Sequence, residues 1–303
     1  AGLNHNGSME LAKKLIESNY EVDILDNFSR GIEDVALKNL VNSKKINLIN
    51  LDLEEIEKIK KLSKNYSYIY HLAAIVGVQH VISSPYKVLE KNHVLLSNVI
   101  NFAKTQEKLK RFIFTSTSEV YAGTLKDYGL TFPTSEETIL SLGNDYEKRN
   151  TYMLSKIYGE AMCTHSGLPF TIIRPHNFYG PRMGLSHVIP ELLKKVYFTN
   201  ETKLEINSAN HTRTFCYIDD AVVGTILAMQ SETSNGQIYH IGTEDEISME
   251  ELIKEAGQFF NYAGKFEIAP TFPGSTRRRC PDISKAQKEL SFEPKIGWKQ
   301  GLK

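Results

Sequence analysis

The chain has 303 residues, enough for one large domain or two smaller ones. Its 36 Lys plus Arg balance 36 Asp plus Glu, so the net charge gives no electrostatic case for binding nucleic acid or an anionic membrane surface. No apolar run approaches the roughly 20 residues of a bilayer-spanning helix, no secretory signal is visible, and Cys163, Cys216 and Cys280 lack metal-ligand spacing, so a metal-free cytoplasmic protein is expected.

Along the chain, short apolar runs alternate with helical patterns. Strands are expected at Glu21–Asp26, Ile46–Leu51, Tyr68–His71, Phe112–Thr115, Phe170–Arg174 and Gln237–Ile241. Helices are expected over Met9–Ser18, Leu53–Leu62, Ser84–Lys104, Arg149–Ser166 and Ile218–Gln230. This alternation predicts an α/β fold: a Rossmann-type doubly wound parallel sheet with helices on both faces. Ligands of such sheets bind beyond the carboxyl ends of the strands. Prolines from Pro175 onward loosen the pattern, so a smaller, discontinuous C-terminal substrate lobe is expected. The expected division is 1–174 plus 213–245 for the nucleotide-binding domain and 175–212 plus 246–303 for the lobe.

The opening "AGLNHNGSMELAKKL" stands where a glycine-rich turn would face a dinucleotide pyrophosphate at a helix N-terminus. Gly2 and Gly7 are its candidates, but His5 and Ser8 occupy the places of the second and third glycines. No strand pattern precedes that turn, so the start is expected to be incomplete or atypical. Asp26 closes "EVDILDN", where a carboxylate accepts hydrogen bonds from an adenosine ribose and repels a ribose phosphate, favouring NAD over NADP; it equally suits a turn cap. Asp52 in "LDLEE" could meet an adenine amine. Ala73 and Ala74 in "YHLAAIVG" are small enough to let a dinucleotide lie on the backbone; both stretches also suit simple packing.

"FTSTSEVYAG" places Thr117 just past a strand, and 35 residues later come Tyr152 and, four further on, Lys156. Residues four apart share a helix face. A free phenol titrates at about pKa 10, but a neighbouring ammonium and a cationic nicotinamide favour the phenolate. Tyr152 then serves as a base near neutral pH, and Thr117 can share a hydrogen bond with the substrate hydroxyl.

With "LDN", "HLAA", "TSTSEVYAG", "YMLSK", "RPHNFYGPR", "TRTFCYIDD" and "RRRCPDISKAQKEL", the chain from about Met9 to Leu302 resembles the extended short-chain dehydrogenase/reductase family, within it the NAD-dependent nucleotide-sugar epimerases and dehydratases. The resemblance implies that Thr117, Tyr152 and Lys156 are catalytic. It implies that Asp26, Asn27, Asp52, Leu53 and Asn92 line a site for tightly held NAD, which takes a hydride from the sugar, usually at C4, and returns it. It further implies a nucleotide-diphosphate sugar, UDP-linked by preference, met by Ser118 and Asn177 and clamped through its phosphates by Arg213, Arg278 and Arg279. Guanidinium groups match phosphate oxygens in bidentate geometry, although "TRRR" also suits a solvated basic turn. A homodimer through the helices at 84–104 and 149–166 is implied as well.

Glu119 sharpens the expectation. Related dehydratases carry an acidic pair after the Thr, one acid protonating the leaving oxygen at C6 and the Glu removing the C5 proton. Here Ser118-Glu119 keeps only the second. Thr-Ser-Glu also resembles UDP-glucuronate decarboxylases, and Glu119 suits a structural pair with a base. The expected function is therefore an epimerase or dehydratase working through a 4-keto sugar. The alternatives are a UDP-glucuronate decarboxylase-like enzyme, a net sugar dehydrogenase or reductase, and a non-catalytic dinucleotide sensor.

Overall fold

The computed structural model describes residues 5–29, 34–42, 46–143, 147–185, 187–271 and 275–303. The first half runs α1 (His5–Glu17), β1 (Val22–Asp26), α2 (Val35–Asn42), β2 (Ile46–Asn50), α3 (Ile56–Ile59), β3 (Tyr68–His71), α4 (Val78–Ser83), α5 (Pro85–Ala103), β4 (Arg111–Thr115), α6 (Ala122–Asp127), α7 (Thr151–Thr164) and β5 (Phe170–Pro175). The second runs β6 (Phe178–Tyr179), α8 (Val188–Phe198), β7 (Lys203–Asn207), β8 (Thr212–Thr214), β9 (Cys216–Tyr217), α9 (Ile218–Gln230), β10 (Gln237–Ile241), β11 (Glu246–Ser248), α10 (Met249–Phe259), β12 (Lys265–Ala269), β13 (Arg278–Arg279), α11 (Ser284–Leu290) and α12 (Trp298–Leu302).

Successive strand side chains point to opposite faces, and a parallel sheet covered on both sides needs apolar residues on each. The central strands meet that demand. Phe112, Phe114, Phe170 and Ile172 face Leu96, Val99 and Ile100 of α5 and Cys163 of α7. Their neighbours Ile113 and Ile173 join Tyr239 and Ile241 on the other face, under Leu11 of α1 and Val222, Ile226 and Met229 of α9. The result is a parallel four-stranded sheet in the order β10-β5-β4-β3.

The expected single sheet is divided. β1 and β2 form a separate parallel pair, with no ladder to β3 among the described residues. Side chains connect the two sheets instead: the Tyr66 hydroxyl donates to the Asp23 carboxylate, and the Tyr20 and Tyr68 rings meet edge-on at 5.8 Å. Of the helix expected over Leu53–Leu62, only Ile56–Ile59 forms; Glu55 gives no side-chain cap, and Ile59 is its one buried residue.

The smaller lobe has its own apolar centres. One joins Val196, Leu204, Ile206, Ile253 and Ala256; the other joins Tyr179, Ile189, Phe215, Ile247 and Leu252. β8 pairs antiparallel with β11 and parallel with β13. The boundary expected at 213 thus falls inside a strand of the lobe. Ala286, Leu290 and Phe292 pack into the main core, so the chain end returns to the sheet.

Candidate active site at the carboxyl end of the sheet

Thr117 lies two residues beyond β4 in extended backbone, φ −163° and ψ 154°. Its hydroxyl accepts the Glu119 N–H at 3.2 Å and starts a 3-10 turn over Ser118–Tyr121. Tyr152 and Lys156 sit one turn apart on the buried side of α7, with 8 % and 4 % of their surface exposed. The Lys156 ammonium donates to the Thr115 carbonyl at 2.7 Å, and lies 4.9 Å from the Phe114 ring centre and 5.8 Å from that of Tyr152. Burial pushes Lys156 down to about 8, which leaves it mostly charged at neutral pH. His71, stacked on Phe112 and Phe114, is held at about 3 by burial first and by the Lys156 charge second, so it stays neutral. One positive centre therefore stands beside one phenol at the end of the strand that carries Thr117. Close by in sequence, the buried hydroxyls of Ser118 and Thr115 have no hydrogen-bond partner among the described residues.

The residues expected to hold NAD lie at the carboxyl ends of β1, β2 and β3. Asp26 closes β1, and one of its oxygens accepts the Phe28 N–H at 2.8 Å, so the turn-capping reading is realised alongside any ribose contact. The Asn27 amide donates to Asp52 at 2.9 Å, and Asp52 also accepts the Glu54 N–H at 2.9 Å. The Glu54 hydrogen bond first, and then Asn27, hold Asp52 below its ordinary pKa. Leu53 is half-buried against the α5 side of the core, and its carbonyl accepts from Asn98 at 2.8 Å. Ala73 is exposed and Ala74 half-buried in the segment after β3. Asn92 acts through the backbone: its oxygen accepts the Ile75 N–H at 2.7 Å, and its nitrogen donates to the Ile75 carbonyl at 3.2 Å and to Ser155 at 3.1 Å. It thereby ties the segment after β3 to α5 and α7. Gly2 lies outside the described residues. Gly7 is buried in α1, which begins at His5, earlier than the pattern suggests. Carboxylates at the ends of β1 and β2 with small residues after β3 fit the adenosine half of NAD, and the Tyr152–Lys156 pair fits the nicotinamide half.

The expected phosphate clamps are divided by the alternation of a strand. β13 runs beside β8 with Arg279 opposite Arg213. Arg279 donates to the Glu119 carboxylate at 2.9 Å. Arg278, pointing the other way, pairs with Glu246 at 2.8 Å and lies 5.0 Å from the Phe132 ring centre. Arg213 donates to the Thr212 carbonyl at 2.7 Å and the Thr276 carbonyl at 2.5 Å; burial and the Arg279 charge push it down to about 10. Asn177 adopts φ 43°, a left-handed conformation that Asn tolerates, and its amide donates to the Thr214 carbonyl at 2.8 Å. Arg279 above all holds Glu119 down to about 2, although the side chain is 34 % exposed.

Sequence reasoning did not single out Ser116, Tyr121, Glu160 or His240. Glu160 continues the Tyr152–Lys156 face by one more turn, and its carboxylate takes a buried bidentate contact from Arg174, at 2.9 and 2.7 Å. The four-residue spacing from Lys156 was the available signal. Among the described residues, no group of His, Cys, Asp and Glu could hold a metal ion, and no helix is long and apolar enough to cross a membrane.

Comparison with known proteins finds relatives over most of the chain. The pattern of the NAD dependent epimerase/dehydratase family matches residues 8–242. A UDP-N-acetyl-alpha-D-glucosaminuronate decarboxylase of Bacillus cytotoxicus is 31% identical over 97% of this chain and 91% of its own. UDP-glucuronic acid decarboxylase 1 of Arabidopsis thaliana is 30% identical over 96% of this chain and 65% of its own. The crystal structure of a UDP-glucose 4-epimerase from Thermotoga maritima superposes with a TM-score of 0.80 at 26% identity, covering 98% of this chain and 93% of that one.

Proposed function

The chain belongs to the NAD dependent epimerase/dehydratase family, and from that membership we propose that it oxidises a UDP-linked hexuronic acid at C4 and releases the C6 carboxylate as carbon dioxide. Bound NAD supplies the acceptor for the C4 hydride and the donor that returns it. Asp26 and Asp52 accept from the adenosine, Ala73 and Ala74 let the cofactor approach the backbone, and Asn92 fixes the segment they stand on. Tyr152, its phenolate favoured by Lys156, removes the O4 proton while Thr117 holds that oxygen. The resulting C4 ketone stands β to the C6 carboxylate. The C5–C6 bond breaks, its electrons pass into an enolate on O4 held by Thr117 and Tyr152, C5 takes a proton from solvent water, and Tyr152 finally returns the O4 proton as C4 regains its hydride.

The observation that carries this reading is the Glu119–Arg279 pair beside Ser118. Dehydration needs an acid at C6 and a base at C5. Serine replaces the acid, and a carboxylate held at about 2 is a weak base. Loss of carbon dioxide from a β-keto acid needs neither. The decarboxylase names of the relatives at 31% and 30% identity support the same choice. The likeness to a UDP-glucose 4-epimerase favours a second reading, in which the ketone is reduced on its other face. Asn177, Arg213 and Arg279 would meet the diphosphate or the sugar acid in either case, whereas Arg278 is engaged with Glu246. Three buried free cysteines fit a cytoplasmic setting, and the outer faces of α5 and α7 fit a homodimer.

The test is incubation with UDP-glucuronic acid and UDP-N-acetylglucosaminuronic acid, followed by the mass of the product. Loss of carbon dioxide without net consumption of added NAD is expected. An unchanged mass with inverted C4 selects epimerisation; loss of water, or stoichiometric NADH, overturns the proposal.

A further inference from the structure

Beneath the site runs a buried chain of hydrogen bonds that the chemistry above does not use. The Ser116 hydroxyl, one residue before Thr117, donates to Glu160 at 2.5 Å. Glu160 receives the Arg174 fork, and Arg174 Nη1 donates onward to the Tyr121 hydroxyl at 2.6 Å. Tyr121 Oη lies 2.6 Å from His240 Nε2, and His240 Nδ1 lies 3.0 Å from the Asp282 carbonyl.

Each contact has an assignable donor: Ser116 and Arg174 both donate to Glu160, and from Arg174 the donors run outward through Tyr121. A guanidinium only donates, so Tyr121 accepts from Arg174. A phenol has one proton, and it goes to His240 rather than to the Ser135 carbonyl, which is 3.4 Å away. His240 Nε2 is then the acceptor, and its proton sits on Nδ1, facing Asp282. The surroundings agree: burial holds His240 at about 3, so it stays neutral, and burial raises Tyr121, so it keeps its proton. The Glu136 carboxylate supports the same histidine by accepting its backbone N–H at 2.7 Å.

The chain joins three pieces of backbone. Glu160 belongs to α7, the helix of Tyr152 and Lys156. Ser116 and Tyr121 bracket Thr117 and Glu119. Asp282 lies three residues beyond Arg279. Two backbone bonds from Thr134, to Cys280 and from Asp282, fasten the same segment to the strap after α6. We infer that Ser116, Glu160, Arg174, Tyr121 and His240 are positioning residues, which hold the oxidising pair and the Glu119–Arg279 pair in fixed register through one continuous hydrogen-bonded chain; this rests on the reaction proposed above. The register matters because C4 oxidation uses the first pair, while the sugar must stay seated against the second until C4 is reduced again.

Tyr121→Phe removes only the central hydroxyl. With bound NAD and UDP-glucuronic acid, its nicotinamide reduction is expected to stay within about threefold of wild type, while the fraction of sugar escaping as the 4-keto product rises about tenfold. Ser116→Ala, which cuts the other end, is expected to act in the same direction. Nitrogen-15 shifts of His240 in the wild type should show the Nδ1-protonated form, and Tyr121→Phe should alter the Nε2 signal. An Nε2-protonated wild-type ring overturns the Tyr121-to-His240 link and the continuous chain with it. Variants that slow every step equally, with an unchanged leak ratio, overturn the positioning role. Wild-type protein that reduces no nicotinamide with this substrate overturns the proposed reaction and the positioning role with it, while the His240 tautomer still reports on the chain itself.

Discussion

At the scale of single residues, the site holds its charges at a thermodynamic cost that can be measured. Burial lowers Lys156 from 10.5 to about 8. Between those values the unfolded chain binds a proton that the folded one does not, so the penalty is complete below pH 8 and is relieved as pH rises to 10.5. Its size is roughly 3 kcal/mol, less about 1 kcal/mol for the bond to Thr115. Lys156→Met is therefore expected to abolish turnover yet raise stability by about 2 kcal/mol at neutral pH, an advantage that shrinks toward pH 10 in denaturant titrations. An equal gain at both pH values would show that folding does not lower the pKa of Lys156. Glu119 has the opposite sign. Its pKa is lowered from 4.5 to about 2, so its contribution is full above 4.5 and is lost as pH falls toward 2. Glu119→Gln should flatten that acid limb. It should also leave C4 oxidation and carbon dioxide loss within about tenfold of wild type, because Glu119 is not the C5 base in the proposed route. A variant that reduces nicotinamide but releases no carbon dioxide would show that Glu119 acts in the decarboxylation step itself.

Among elements, α7 decides the geometry, and a glycine lets it approach the sheet. A Cβ on Gly159 would lie 2.5 Å from the Phe114 ring and 3.1 Å from Leu96. Gly159→Ala should push α7 off β4, costing about 1–3 kcal/mol and lowering kcat more than it raises KM, since Tyr152 and Lys156 move with the helix. A melting temperature unchanged from wild type would show that the gap closes without cost. This tight seat was hidden in the sequence, where "IYGEA" reads as ordinary helix. The large elements were legible because both faces of β4 and β5 are apolar. The lobe was not: β6, β8, β9 and β13 have two or three residues each, too few for any period to show. The candidate pair Tyr152 and Lys156 was legible from its spacing. The division of Arg278 from Arg279 followed from strand alternation, but only once β13 was known to be a strand. The ion pair joining Glu119 to Arg279 spans 160 residues and left no local signal.

At the scale of the whole molecule, α5 and α7 pack side by side and each spends one face on the sheet. Their outer faces stay uncovered, with Tyr86 70 % and Tyr158 56 % exposed and the His93 ring 5.3 Å from that of Tyr158. Aromatic side chains in this setting supply much of the binding energy in protein interfaces, and with a net charge of zero the chain offers no overall repulsion to a second copy. The wild type should therefore sediment as a dimer at micromolar concentration. Tyr158→Glu buries a charge at the centre of that contact and should weaken association at least about tenfold, or 1.4 kcal/mol. Tyr158 points away from Lys156, so the first round of nicotinamide reduction should survive in the monomer. A wild type that sediments as a monomer, or a Tyr158→Glu variant that remains as tightly dimeric, would place any self-association on another face.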